Sequence, residues 1–305
     1  MPEKVVIGID IGGTKVRIGT VNEKGSLMAE RVVLSETLFD GQSADKALGK
    51  TLREYMEKLD VSEKIAGVSI GLPATLSKDR KVILSAPNIP SLDGTRLSEI
   101  LEEHLHIPVF MEKDVNYLLF HDMQVKQIKS QGIVIGCYLG TGFGNAVFIN
   151  GIPMTGRHGA ACELGHIPIA GNRLVCSCGN EGCIETIASG RYLRKIQKEY
   201  FEDTPISMLF ERHYRYSNCL KEFIENLALP IATEINIFDP DVVVIGGGLP
   251  SMKGFPKEDF EAAVRRHTRK PYPMEDLQFL YSVEDDFGGV RGAGMYIHKM
   301  MEKRR

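Results

Sequence analysis

Residues 5–21 read Val5-Val-Ile-Gly-Ile-Asp10-Ile-Gly12-Gly13-Thr14-Lys15-Val-Arg-Ile-Gly-Thr-Val21. Two apolar runs, Val5 to Ile11 and Val16 to Val21, have strand length, and a glycine turn joins them. Residues 133–149 repeat the arrangement. Ile133 to Leu139 is an apolar strand, Gly140-Thr141-Gly142-Phe143-Gly144 is the turn, and Asn145 to Ile149 is the returning strand. The two copies start about half a chain apart. A chain with 31 glycines can produce two such hairpins by composition alone. Recurrence at half-chain spacing favours two halves of related topology.

Such a pair of halves is how an actin-like (RNase H-like) α/β ATPase is built, and the intervening sequence agrees. Leu27 to Leu34 reads as a third strand. Ala44 to Leu59 reads as a helix with Ala47, Leu48, Leu52, Tyr55, Met56 and Leu59 on one face. Ile65 to Leu72 is a buried strand. Thr95 is placed to N-cap a helix whose apolar stripe is Leu97, Ile100, Leu101 and Leu105. A short strand, Val109 to Met111, delivers Lys113-Asp114-Val115-Asn116 to its end, and a helix follows from Val115 to Ile128. Asn218 to Phe238 is a long helix, and Asp241 to Ile245 is a buried strand running into Gly246-Gly247-Gly248. The length of 305 residues fits two domains at roughly 150 residues each. The expected division is an N-terminal α/β domain over 1–118 and a C-terminal α/β domain over 119–305, with a cleft between them.

The three glycine turns pose a phosphate-binding question. Gly12 and Gly13 let backbone N–H groups approach phosphate oxygens, Thr14 adds a hydroxyl donor, and Lys15 closes the motif. Asp10, at a strand end, is positioned to hold Mg²⁺ through water, because magnesium keeps much of its hydration shell. Gly140, Thr141 and Gly142 form the second turn. Neither has the Gly-x-x-x-x-Gly-Lys-Ser/Thr pattern of a P-loop. A strand rather than a helix follows each, which argues against a Rossmann fingerprint. Gly246, Gly247 and Gly248, read as preceding a helix, permit close approach of a flat group such as adenosine. Three such turns in one chain, two of them paired with Thr, lead to a nucleotide as the expected ligand.

Charge and cysteine usage narrow the remaining classes. Lys and Arg number 37 and Asp and Glu 40, a net charge of −3, which argues against a strong nucleic-acid or anionic-membrane partner. No apolar run reaches membrane-spanning length, and the N-terminus lacks a signal-peptide pattern, so the cytoplasm is the expected location. Disulfides are rare there. Cys137, Cys162 and Cys219 are scattered, whereas Cys176, Cys178 and Cys183 crowd together after His166. Three thiolates and an imidazole are a Cys3His set for a closed, structural Zn²⁺ site that would stiffen the irregular loop 162–185. The alternative is reduced cysteines packed as small hydrophobes. Glu163 and Glu185 flank these ligands. Two carboxylates on a stiffened loop can accept hydrogen bonds from vicinal hydroxyls, as a sugar or polyol site requires.

Taken together, these residues resemble the ROK family of bacterial sugar kinases and regulators over nearly the whole chain. The motifs that carry the resemblance are Asp10-x-Gly-Gly-Thr14, the run from Leu139 to Gly156, Glu163-x-Gly-His166 and Cys176-x-Cys-Gly-x-x-Gly-Cys183-x-Glu185. The resemblance implies ATP-dependent phosphorylation of a hexose 6-hydroxyl, with Asp114 as catalytic base. For Asp114 the competing role is N-cap of the following helix. It further implies that Glu163, His166 and Glu185 contact sugar hydroxyls, with His166 also on the metal, and that Asn88 contacts sugar from a loop. It implies a homodimer, and a closing helix, 290–303, that packs back on the N-terminal domain. Family glucokinases usually carry Asn where this chain has Lys113, and often Gly where it has Ala74. Those departures, with Lys113-Asp114-Val-Asn116, resemble the D-allose kinase branch, and allose differs from glucose only at C3. A glucokinase and an N-acetyl amino-sugar kinase are the alternatives. A sugar-responsive repressor is less expected, because the first phosphate strand begins at Lys4 and leaves no room for an N-terminal helix-turn-helix.

Overall fold

The computed structural model describes residues 4–39, 43–59, 65–87 and 89–303. In chain order its strands are β1 (Val5–Ile11), β2 (Lys15–Asn22), β3 (Leu27–Leu34), β4 (Ile65–Leu72), β5 (Thr75–Leu76), β6 (Ile83–Ser85), β7 (Val109–Lys113), β8 (Ile133–Leu139), β9 (Phe143–Ile149), β10 (Ile152–Pro153), β11 (Val242–Gly246) and β12 (Phe279–Tyr281). Its helices are α1 (Ser35–Phe39), α2 (Ala44–Met56), α3 (Leu97–Leu105), α4 (Asp114–Val125), α5 (Gly190–Tyr200), α6 (Leu209–His213), α7 (Asn218–Phe238), α8 (Lys257–His267) and α9 (Gly288–Lys303). Among the described residues no helix is long and apolar enough to cross a membrane.

The chain divides into two units. Residues 1–128, 155–161 and 285–305 form the first, and residues 129–154 and 162–284 the second. The expected division after residue 118 falls inside α4. A helix is cooperative and packs as one body, so α4 stays whole in the first unit. The last helix, α9, also belongs to that unit.

The first unit is a five-stranded sheet in the order β3-β2-β1-β4-β7. The β1–β2 and β2–β3 pairs are antiparallel, and the β1–β4 and β4–β7 pairs are parallel. Successive side chains of a strand point to opposite faces. Ile7, Ile9 and Ile11 pack on one face against Leu48 and Leu52 of α2 and Leu97 and Leu101 of α3. On the other face Gly8 stands directly opposite Gly19. A Cβ on Gly8 would lie 2.3 Å from the Val290 carbonyl oxygen, so the paired glycines form the notch into which α9 settles. Tyr296 of α9 meets Phe120 of α4 edge-on at 5.2 Å, and the His298 ring nitrogen Nε2 is 3.0 Å from the Val21 carbonyl oxygen.

The second unit repeats the plan in the order β10-β9-β8-β11-β12. Again the first two pairs are antiparallel and the last two parallel. Ile135, Cys137 and Leu139 of β8 pack with Leu220, Phe223, Leu227 and Ile231 of α7. Two sheets of one strand order are the two halves of the actin-like fold.

Two local expectations change. Thr95 does not cap α3. Its hydroxyl donates to the Leu92 carbonyl at 2.7 Å, and the helix begins after Arg96. The turn at Gly246 does not lead straight into a helix. Positive φ at Gly247 (+91°) and Gly254 (+73°) breaks helical continuation, and α8 starts only at Lys257.

Candidate functional site

In the first unit the parallel strands β1, β4 and β7 end side by side. Asp10 pairs in register with Gly71, and Leu72 with Lys113. Gly71 lies between them: a Cβ there would lie 3.2 Å from the Tyr117 ring, 3.4 Å from the Ile9 carbonyl oxygen and 3.5 Å from the Asp114 Cα. Asp10 and Asp114 thus flank one glycine at the C-terminal edge of parallel strands, where open α/β sheets bind ligands. Burial, reinforced by the charge of Asp114, pushes the Asp10 carboxyl up to about 7. Arg17 opposes that rise. It stands directly across the hairpin from Asp10, with its guanidinium 3.9 Å from Asp10 and 3.8 Å from Asp286.

The first glycine turn is braced from α1. The Ser35 hydroxyl donates to the Gly12 carbonyl at 2.7 Å, and the Ser35 N–H to the Thr14 carbonyl at 2.9 Å. Gly13, Thr14 and Lys15 remain exposed. Asp114 is the first residue of α4, and its Oδ1 accepts the Val115 N–H at 2.8 Å. Lys113 occupies the N-cap position instead, so Asp114 serves the helix start from inside it. Lys113 is buried and its Nζ donates to the Ala161 carbonyl at 3.2 Å. Asn88 lies outside the described residues.

In the second unit the other two glycine turns come together. Gly247 folds over the end of β8, where a Cβ would lie 2.5 Å from the Leu139 carbonyl oxygen. The Leu249 N–H donates to that same carbonyl at 2.9 Å. Space beside Gly140 and Gly248 is open to at least 4 Å from a built Cβ. The N-terminus of α5 joins this patch: the Gly190 N–H donates to the Gly140 carbonyl at 2.8 Å and the Arg191 N–H to the Thr141 carbonyl at 3.1 Å. Glycine turns thus meet at the C-terminal ends of parallel β8 and β11, where open α/β sheets bind ligands, while the first N–H groups of α5 are taken up by Gly140, Thr141 and Ser189.

Glu185 is tied to the second turn. Its Oε2 accepts the Phe143 N–H at 2.8 Å, and a Cβ on Gly142 would lie 2.6 Å from that oxygen. A side chain at position 142 would therefore push the Glu185 carboxylate off this bond. Glu163 is exposed, with its carboxylate 3.9 Å from His166 Nε2.

His166, Cys176, Cys178 and Cys183 present ligand atoms that all lie within 4.8 Å of one another. Cys178 Sγ is 3.7 Å from Cys183 Sγ, and Cys176 Sγ is 3.5 Å from His166 Nδ1. A tetrahedral ion with Zn–S near 2.3 Å and Zn–N near 2.05 Å would set these separations at about 3.8 and 3.6 Å. The sulfurs are too far apart for a disulfide, whose S–S bond is about 2.05 Å. The donor set therefore fits zinc. His166 faces the cluster through Nδ1 and Glu163 through Nε2, so one ring can serve both without competition.

Three participants were not anticipated. Arg17 was recoverable, since a hairpin closing over Gly12 and Gly13 puts it opposite Asp10. Glu112 and Arg80 were not: Arg80 reaches Glu112 from a separate hairpin, 32 residues away in sequence.

The ROK family profile matches residues 6–300. A glucokinase of Thermotoga maritima is 27% identical over 270 residues, covering 82% of this chain and 83% of that protein. An N-acetyl-D-glucosamine kinase of Vibrio cholerae is 30% identical over 302 residues, covering 94% and 97%. Among solved structures, a ROK family glucokinase from Streptomyces griseus in complex with glucose and AMPPNP superposes with a TM-score of 0.78 at 26% identity, covering 95% of this chain and 97% of that one.

Proposed function

The chain belongs to the ROK family, and from that premise we propose that it transfers the γ-phosphoryl group of ATP to the 6-hydroxyl of a hexose, D-allose, giving D-allose 6-phosphate. The observation that carries the reading is the seat of Asp114, a carboxylate at the C-terminal edge of parallel strands and close enough to Asp10 for their charges to interact. In this role Asp114 accepts the proton of the attacking hydroxyl as its oxygen displaces ADP from the γ-phosphorus. The rest of catalysis is positioning and charge stabilisation. Gly12, Gly13, Thr14 and Lys15, with Gly140, Thr141 and Gly142, are assigned to phosphate, and Gly246, Gly247 and Gly248 to adenosine. Mg²⁺, when bound, neutralises phosphate charge, and Asp10 is the residue assigned to hold it through water. Glu163, His166 and Glu185 are assigned to sugar hydroxyls. His166, Cys176, Cys178 and Cys183 are assigned to a structural Zn²⁺, since four protein donors leave no open position for chemistry.

Allose is chosen because Lys113 places a cation where glucokinases of the family carry Asn. Glucose and N-acetylglucosamine are the second reading, favoured by the relatives named for those sugars. A coupled assay of ADP release across allose, glucose, fructose, N-acetylglucosamine and N-acetylmannosamine decides between them. Allose is expected to show the highest kcat/KM. Glucose or an N-acetyl sugar in first place ends the allose reading, and no turnover on any of them ends the kinase reading. Asp114→Asn is expected to keep ATP and sugar binding and lose about 10²–10⁴-fold in kcat. A homodimer is the proposed assembly, which sedimentation equilibrium would test.

A further inference from the structure

Glu112 is the penultimate residue of β7, two positions before Asp114, and only 5% of its surface is exposed. Carboxylates are rarely buried so deeply unless paired. Arg80, from the hairpin of β5 and β6, supplies the pair. Its Nε donates to Glu112 Oε2 at 3.1 Å, while Nη2 lies 2.9 Å from Oε1. The second contact lacks the alignment of a hydrogen bond and is ionic. The same carboxylate does local work. Oε1 accepts the Lys113 N–H at 2.9 Å and the Asn116 side-chain amide at 3.0 Å. Asp114 sits between those two donors. One buried carboxylate thus closes the turn from β7 into α4 around the residue assigned as base.

The arrangement reaches further within the first unit. Arg80 Nη1 donates to the Gly159 carbonyl at 3.3 Å, and Lys113 Nζ to the Ala161 carbonyl at 3.2 Å. Gly159 can lie this close because it has no side chain: a Cβ there would be 2.0 Å from the Leu76 carbonyl oxygen. Residues 155–161 are therefore held by the two cations adjoining Glu112. A buried ion pair is weak as a source of stability, since apolar residues of similar volume often do as well or better. Its use here, with both bonds accepted by Oε1 coming from residues that flank Asp114, points to orientation.

We propose that Glu112, locked by Arg80, is a positioning residue for Asp114, fixing the β7–α4 turn so that the Asp114 carboxylate meets the acceptor hydroxyl in line for transfer. The inference rests on Asp114 being the base. A displacement of about 1 Å in a reacting group can cost about 10²-fold in rate, so an effect on turnover is expected without any contact to substrate.

The test compares kcat and KM in four proteins, each well below its melting temperature. Glu112→Ala alone would strand Arg80 as an unpaired buried charge, so the double variant Glu112→Ala/Arg80→Met is used. It is expected to fold, to lose about 10- to 100-fold in kcat, and to keep KM for ATP within about threefold of wild type. Glu112→Gln/Arg80→Met keeps an acceptor for the Lys113 N–H and the Asn116 amide without stranding the guanidinium and is expected to recover most of that loss. The fourth protein, Asp114→Asn, separates the two ideas. A folded Glu112→Ala/Arg80→Met variant with wild-type kcat beside an inactive Asp114→Asn sinks the positioning role and leaves the base standing. An active Asp114→Asn removes the base, and the positioning inference with it. A Glu112→Gln/Arg80→Met variant no better than Glu112→Ala/Arg80→Met also overturns the proposal, because the acceptor bonds would then be irrelevant.

Discussion

The two sheets share strand order and direction, yet their C-terminal edges carry different chemistry. In the first unit the edge bears side-chain acids, Asp10 and Asp114, with Arg17 opposite. Its glycine turn is braced by a serine hydroxyl. In the second unit the edge bears glycines and a helix N-terminus, and its turn is braced by the Glu185 carboxylate. A Cys3His cluster whose donors fit zinc lies in the loop that carries Glu185. One topology thus presents acidic side chains at the strand edge in one copy and glycine backbone in the other, and the proposed roles, proton and metal chemistry against recognition of phosphate, follow that division. The lesson is that strand order fixes where a site forms and the turn residues fix what it does.

The sharpest way to break this contrast is to disrupt the Cys3His cluster. Cys176→Ser, or chelation of the purified protein, is expected to abolish sugar-dependent turnover and lower the melting temperature, because a metal-organised loop has little core of its own. Metal analysis and calorimetry check it. Unchanged stability with metal absent would show that the cysteines pack as plain hydrophobes. Next in size is Gly247→Ala. Positive φ and a carbonyl 2.5 Å from the new Cβ predict a loss of about 2–4 kcal/mol in urea unfolding. Gly248→Ala meets nothing within 4 Å and is expected to leave stability within about 0.5 kcal/mol while weakening nucleotide binding. Equal losses of stability would mean the third turn is purely structural.

A pH-dependent effect concerns the core of the second unit. The second unit buries Glu234, whose Oε2 accepts from the Asn145 amide at 2.9 Å. Burial raises its carboxyl to about 8, against 4.5 for the free group. The folded chain then holds this proton more tightly than the unfolded chain. Its contribution is complete below pH 4.5 and is lost as pH rises toward 8. Glu234→Gln, which cannot ionise, should flatten that fall by on the order of 1–3 kcal/mol between pH 5 and pH 8. Unfolding curves at several pH values check the slope, and identical slopes would remove Glu234 as its source.

Much of this was legible in the residues. The two hairpins, the long helix 218–238 and the strand 65–72 announce themselves through apolar period and glycine turns, which are local properties. The cysteine cluster was legible for the same reason, since its ligands span only eighteen residues. Arg80 with Glu112, the brace of Ser35 on Gly12, and the hold of Glu185 on Phe143 were not. Each joins segments whose proximity depends on how strands are ordered and registered, and no local period encodes that.

Sequence alone determined most of the elements, the glycine turns and the grouping of His166 with the three cysteines, because spacing along a chain directly limits which groups can share one turn or one loop. Tertiary structure decided what each glycine is for. Gly8 makes room for α9 and Gly247 for the end of β8, while Gly142 leaves the Glu185 carboxylate in place. A missing side chain has no signature until the atom that would strike it is in place.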